Sequence, residues 1–211
     1  MTKAIFWDND GVLVDTERLY FLATQRTLAA AGIPLTREQY VELFLVQGRG
    51  AWHLVAEAGH PPREVERLRE ERNRLYGSYL DEGDLVIDGV RDVLEALHGT
   101  HAMAVVTSSR RDHFAAIHRR TGLLEYFQFA LTEGDYARNK PHPDPYLLAV
   151  ERSGFRREEC LVVEDSARGL IAAREAGLRC IVVPSDLTRG SDFTGAYRVL
   201  GRIGELIGAL E

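Results

Sequence analysis

Residues 6–16 read Phe6-Trp7-Asp8-Asn9-Asp10-Gly11-Val12-Leu13-Val14-Asp15-Thr16. The apolar run Ala4-Ile5-Phe6-Trp7 is too short for a helix and holds branched and aromatic residues, so it reads as a strand running straight into two carboxylates. Side chains two apart on an extended chain point the same way. Asp8 and Asp10 therefore project together at the carboxyl edge of a sheet, before Gly11 turns the backbone. Like charges this close repel; a divalent cation or one retained proton makes the pair tolerable, and both arrangements suit chemistry on a phosphate. Taken alone, the stretch also fits an Asx-type turn in which Asp and Asn merely satisfy backbone donors.

Working outward, AMAVV at 102–106, FQFAL at 127–131, LVVE at 161–164 and CIVV at 180–183 read as further strands, with amphipathic segments such as RDVLEALH and ARGLIAAREAG between most of them. This alternation predicts the α/β class, a parallel sheet with helices on both faces, which binds ligands beyond the carboxyl ends of its strands. From about Thr16 to Asp81 helical patterns follow one another without a strand. An all-helical insert is therefore expected over 16–81, within a discontinuous core of 1–15 and 82–211. Gly32-Ile33-Pro34 ends one of its helices and Thr36-Arg37-Glu38-Gln39 has the capping-box spacing that starts the next. Gly48 and Gly50 mark a break, and Pro61-Pro62 opens a long charged helix. The segment Thr188 to Leu200 is ambiguous between an edge strand and a loop.

Three more strand ends carry polar groups. At Thr107-Ser108-Ser109 a buried strand gives way to a helix start, whose exposed N–H groups with a hydroxyl alongside make an anion site; N-capping by Ser108 or Ser109 is the plainer reading, and the two can coexist. In Asn139-Lys140-Pro141-His142-Pro143-Asp144-Pro145, Asp144 is expected as N-cap and Pro145 as the first helical residue. Lys140 lies where a phosphate needs a point charge, whereas His142 reads more simply as a loop histidine. Leu161-Val162-Val163-Glu164-Asp165-Ser166 ends in paired acids, with Ser166 placed to cap the next helix; with Asp8 they complete an oxygen-ligand site for a hard cation.

The bulk numbers bound the function. A chain of 211 residues that is 45% apolar supports one core of ordinary domain size with a small appended module. Lys and Arg total 26 against 32 Asp and Glu, and the net charge of -6 argues against nucleic acid or an anionic membrane as partner, leaving small solutes. No leader pattern and no run of 18 apolar residues is visible, so a cytoplasmic location is expected. Cys160 and Cys180 each open a hydrophobic run and read as small buried apolar residues.

DxDGVLVDT at 8–16, Lys140-Pro141 and Glu164-Asp165, in this order, resemble the haloacid dehalogenase superfamily of phosphotransferases, in the branch with a helical cap inserted after the first motif. The resemblance covers essentially the whole chain and implies a Rossmann-like, three-layer core with a mobile cap. It further implies a magnesium-dependent phosphatase acting on a small phosphorylated metabolite through an aspartyl-phosphate. Asp8 would be the nucleophile and Asp10 the acid that protonates the leaving alkoxide and then activates water. Thr107, Asn9 and Ser108 would bind phosphoryl oxygens, and Lys140 would neutralise them and restrain Asp8. Magnesium would sit on Asp8, the Asp10 carbonyl oxygen and Asp165, with Glu164 directly or through water. Thr16, Tyr20, Gly48, Arg49, Trp52 and His53 are the candidate cap and substrate contacts.

The chain is similar to the β-phosphoglucomutase and phosphoglycolate phosphatase groups. Yet where the mutases carry a histidine it has Tyr20, and their cap arginine falls on Ala51, for which Arg49 substitutes only if the loop is threaded differently. Without a firm grip on a distal phosphate, release to water is favoured. A phosphomutase is the nearest alternative, and a non-catalytic binding protein of this fold is the alternative from another class. The intact Asp8, Asp10, Thr107, Lys140 and Asp165 argue against the latter. Residues 16–81 contain no lysine, which disfavours the Schiff-base phosphonatases. The expected partner is a small phosphorylated substrate, and the expected state a monomer or weak homodimer.

Overall fold

All five apolar runs become strands of one sheet in the computed structural model, which describes residues 1–81 and 84–210. They are β1 (Ala4–Trp7), β2 (Ala102–Val106), β3 (Phe129–Leu131), β4 (Cys160–Glu164) and β5 (Arg179–Val182). The ambiguous segment supplies a two-residue edge strand, β6 (Arg198–Val199). Every pairing is parallel and the order is β3-β2-β1-β4-β5-β6. Trp7 lies level with Val105 on one side and Val163 on the other. That register brings Asp8, Thr107 and Glu164 to one edge, at the point beside β1 where the strand order reverses and a crevice opens.

Because side chains alternate along a strand, the sheet carries one apolar cluster per face. Ile5, Trp7, Val105, Val163 and Ile181 meet Val93, Leu94 and Leu97 of α5 (Val90–Leu97), Phe114 and Ile117 of α6 (Arg111–Thr121) and Leu206 of α9 (Leu206–Leu210). Ala4, Phe6, Val106, Val162 and Val182 meet Tyr146 and Ala149 of α7 (Asp144–Ser153) and Leu170 and Ala173 of α8 (Ala167–Glu175). This is the three-layer, Rossmann-like arrangement, and near-continuous apolar strands are what double-sided burial demands. Cys160 and Cys180 are buried and unpaired among the strand residues. No helix of the described residues is long and apolar enough to cross a membrane.

Between β1 and α5 the regular elements are helical: α1 (Glu17–Ala30), α2 (Arg37–Tyr40), a π-helical turn at Val41–Val46, α3 (Trp52–Glu57) and α4 (Pro62–Leu80). They share an apolar cluster of their own, built on Leu28, Leu35, Tyr40, Leu45, Val55 and Leu68. The expected capping box is present, with the Gln39 N–H donating to Thr36 Oγ1 at 3.2 Å and the Thr36 N–H to Gln39 Oε1 at 2.9 Å. Pro62 opens α4 as expected.

Two helix starts differ from expectation. Neither Ser108 nor Ser109 caps α6, which follows Arg110 without a side-chain cap; the Ser109 hydroxyl is drawn instead to the Asp10 carboxylate. Helix α7 begins on Asp144 rather than after it, because Arg138 takes that carboxylate at 2.8 and 3.1 Å.

Ser166 caps α8 as expected, accepting the Gly169 N–H at 3.1 Å. Gly169 itself is packed so closely on β4 that a Cβ there would sit 1.9 Å from the Glu164 carboxyl carbon. In an open helix Gly→Ala gains about 1 kcal/mol. Here Gly169→Ala is expected to destabilise by roughly 1–3 kcal/mol through overpacking, read as a lowered melting temperature; a stabilised variant would contradict the close approach.

Candidate active site

A cavity of about 330 Å³ opens at the switch-point edge, between the strand ends and the helical insert. Its floor carries Asp8, Asp10, Thr107, Ser108, Lys140 and Asp165, which the chain delivers from four separate strand ends. Lys140 organises them. Its Nζ lies 2.7 Å from Asp8 Oδ1, 2.6 Å from Glu164 Oε1 and 2.7 Å from the Val106 carbonyl oxygen, so three acceptors meet the three N–H bonds of one ammonium. Burial disfavours the charge, but Asp8 and Glu164 outweigh it and hold Lys140 protonated, its pKa raised above the usual lysine range.

Glu164 is fully buried and both its oxygens are engaged. Oε1 also accepts the Tyr146 hydroxyl at 2.7 Å, while Oε2 takes the Asp165 N–H at 3.2 Å and the Ser166 hydroxyl at 3.3 Å. It lies beneath the cavity rather than on its wall, as the holder of Lys140. Asp8, Glu164 and Asp165 nonetheless offer carboxylate oxygens all within 4.8 Å of one another. Burial, then the charge of Glu164, raises Asp8 to about 7 in spite of Lys140. Burial, then Asp8 and Glu164, pushes Asp165 well above the carboxylate range. Three buried acids against one lysine, with oxygen donors alone, fit a hard divalent cation. Gly11, at φ 85°, makes room for Asp165, since a Cβ there would come within 2.3 Å of its Oδ2.

Asp10 is held separately. It accepts the hydroxyls of Thr16 and Ser109 and, at 3.4 Å, that of Thr107. Thr16, expected among substrate contacts, is thus fully buried as a support for Asp10. The side chain of Asn9, expected among the phosphate contacts, is turned away from the cavity. Lying between Asp8 and Asp10, it faces the other way and is fully buried, accepting the His118 Nε2–H at 2.8 Å. Burial lowers His118 to about 4, so the ring is neutral and its Nδ1 accepts the Thr121 hydroxyl at 2.8 Å.

On the insert side, Tyr20, Gly48, Arg49 and Trp52 line the cavity and His53 does not. It is the next residue after Trp52 on α3, about 100° further round the helix. Tyr20 and Trp52 also pack: the buried Arg72 guanidinium lies 4.2 Å from the Tyr20 ring centre and 5.2 Å from that of Trp52. Ala51 is fully buried in the insert's own cluster, so the arginine on this wall comes from exposed Arg49.

Sequence reasoning missed Glu17 and Arg168, both on the wall. Glu17 directly follows the first motif. Burial, then the charge of Asp10, pushes it up to about 7 while it accepts the Tyr40 hydroxyl and feels Arg168 nearby. Arg168 was hidden in what reads as an amphipathic helix face; its Nε–H is buried without a partner among the described residues.

A doubly wound sheet whose strand ends gather a lysine-bound carboxylate, a second acid two residues on and a buried acidic trio is the arrangement of a hydrolase of the α/β class. The chain belongs to the haloacid dehalogenase-like hydrolases, whose family pattern it matches over residues 2–177. It is 34% identical over 219 residues to the protein CbbY of Cereibacter sphaeroides, across 99% of this chain and 95% of that one. It is also 34% identical over 185 residues to the phosphorylated carbohydrates phosphatase of Thermotoga maritima, across 85% and 83% of the two chains. The crystal structure of CbbY from Rhodobacter sphaeroides in complex with phosphate superposes with a TM-score of 0.82 at 32% identity, covering 98% of this chain and 96% of that one. The expectation of a phosphohydrolase agrees with these relatives.

A carboxyl held near 7 against its ordinary 3.8 binds its proton more tightly folded than unfolded, so Asp8 makes the metal-free protein lose stability as pH rises from 3.8 to about 7. Without metal at pH 8, Asp8→Asn is expected to melt roughly 2–4 °C above the parent, the gap closing below pH 4. A parent that melts higher at pH 8 would refute the strain.

Proposed function

We propose that this protein is a magnesium-dependent phosphatase, cytoplasmic, that hydrolyses a small phosphate monoester, a sugar or other organic phosphate, through an aspartyl-phosphate on Asp8. The core of 1–15 and 82–211 would supply the chemistry and the helices of 16–81 the cap. The observation that carries this reading is the pairing of two differently held carboxylates on one cavity floor: Asp8 against Lys140 at 2.7 Å, and Asp10 against three hydroxyls.

Asp8 is placed to attack phosphorus as the ester P–O bond breaks, and Asp10 to give its proton to the departing alkoxide. In the second half Asp10 takes a proton from water as that water attacks phosphorus, the Asp8–phosphorus bond breaks, and inorganic phosphate leaves. Thr107 and the Ser108 N–H would hold the phosphoryl oxygens, and Lys140 would balance the charge gathering there. Asp8, Asp165 and the Asp10 carbonyl oxygen would hold magnesium, which when bound screens the repulsion between an anionic nucleophile and an anionic phosphate. The full engagement of Glu164 with Lys140 and Tyr146 favours a supporting role for it over direct ligation.

Hydrolysis is favoured over phosphate isomerisation by Tyr20 and by Ala51, whose burial leaves exposed Arg49 as the arginine that the insert itself offers to a distal phosphate. The names of the relatives point to phosphorylated carbohydrates as the first substrates to assay, since a CbbY structure also holds xylulose-(1,5)bisphosphate.

Phosphate release across sugar phosphates, phosphoglycolate, nucleotides and pyrophosphate, with and without magnesium, tests the reading. Asp8→Asn is expected to lose on the order of 10³-fold or more in kcat, and Asp10→Asn roughly 10²–10⁴-fold. No magnesium-dependent release from any member, with the fold intact, would move the assignment to a mutase. The acid limb of the rate profile is expected near 7 at limiting magnesium, because Asp8 must be anionic to attack, and to move to lower pH as magnesium is raised. Arg49→Ala is expected to raise KM for the true substrate with kcat little changed; an unchanged KM removes Arg49 from binding.

A further inference from the structure

We propose that the turn Ser185-Asp186-Leu187-Thr188 is a strap that positions Asp165 and ties it to the helical insert, so that the seating of the insert sets how tightly the site holds magnesium. The inference rests on the reading of Asp165 as a metal ligand.

The turn has two faces with different partners. On its inner face the Ser185 hydroxyl donates to Asp165 Oδ2 at 2.9 Å and the Thr188 hydroxyl lies 3.4 Å from the same oxygen. Thr188 is 1% exposed, unusual for a threonine on a surface turn. On its outer face the Arg37 guanidinium donates to the Asp186 carbonyl oxygen, and Leu187 packs into the apolar cluster of the insert. Arg37 and Asp186 are 149 residues apart in sequence, so this contact joins the two parts of the fold.

Between its faces the turn is stiff. The Ser185 N–H donates to Thr188 Oγ1 at 2.9 Å, and the Thr188 and Arg189 N–H groups both donate to the Ser185 carbonyl, at 3.2 and 3.0 Å. A stiff link passes displacement on instead of absorbing it. At the far end Asp165 Oδ2 cannot yield, because it is seated against Gly11 in a space a single Cβ would fill. A shift of the insert that draws on Leu187 or Asp186 therefore reaches the hydroxyls that aim the Asp165 carboxylate. By linkage, whatever fastens the insert also tightens the metal site, by the same factor in both directions.

Titration calorimetry with magnesium chloride alone, on the full chain without substrate, tests the strap. Ser185→Ala is expected to weaken magnesium binding by about fivefold or more, the lower end of ordinary coupling between sites. The diagnostic variants are Arg37→Ala and Leu187→Ala, which touch neither the cavity nor Asp165. Each is expected to weaken binding in the same direction by at least about threefold, at the low end of that range. Arg37 is on the surface, so Arg37→Ala keeps the test open should Leu187→Ala fail to fold. Folded Arg37→Ala and Leu187→Ala proteins that bind magnesium as the parent does overturn the strap alone. A parent that binds no magnesium overturns the metal reading, and the strap with it.

Discussion

Lys140 Nζ is the point on which the site depends. A buried ammonium costs several kcal/mol in lost hydration, and it persists here because three acceptors at 2.6–2.7 Å surround it. Those acceptors come from the ends of β1, β2 and β4, so one cation fixes three adjacent strand ends against each other. The pleat and register bring the strands level, and the ammonium makes their ends converge. Glu164 serves this purpose first: without it, Lys140 would have Asp8 as its sole anionic partner and would hold that carboxylate in a closed ion pair. Shared between two carboxylates, the lysine orients Asp8 without neutralising it completely.

The same arrangement crowds acidic groups at the strand ends. Asp8, Glu164 and Asp165 are buried within a few ångströms of each other, and one lysine cannot balance three acids. The strain is local, and burial on both faces of the sheet pins the strands that carry it. Protein structures keep such unfavourable clusters where the surroundings over-determine them and a function uses them.

Much of this was legible in the sequence. Strand existence followed from short branched runs, and the shared direction of Asp8 and Asp10 followed from the period of two. That period also assigns the Asn9 side chain to the opposite face, where it meets His118. Other features had no local signal. Nothing near Ser109 or Thr16 announces that their hydroxyls converge on Asp10, and Ser109 looked like a cap because the competing acceptor lies 99 residues away. Glu17 and Arg168 sit in helices whose periodicity is that of ordinary amphipathic faces, so only the fold could show which side meets the cavity. The turn at 185–188 carries no local signal either, since its partners are Asp165, Arg37 and the insert's cluster.

The cavity's two walls are held in unequal ways. On the floor, Asp10, Lys140 and Asp165 each have more than one partner, Asp8 is held by Lys140, and most of the four are buried. Groups fixed that firmly keep one geometry whatever the carbon skeleton attached to the phosphate, as transfer of a common group requires. Across the cavity, Arg49 is exposed on a loop between two glycines of positive φ, and Tyr20 and Trp52 divide their surfaces between packing on Arg72 and facing the void. Such a wall changes its shape with few substitutions and little effect on the floor. On the proposed function, chemistry would therefore be carried by contacts that the fold enforces, and selection of the substrate by contacts that it leaves free. Ala51 illustrates the difference: a small residue there is taken into the insert's own core, and of the two it is Arg49, on the loop between the glycines, that faces the cavity.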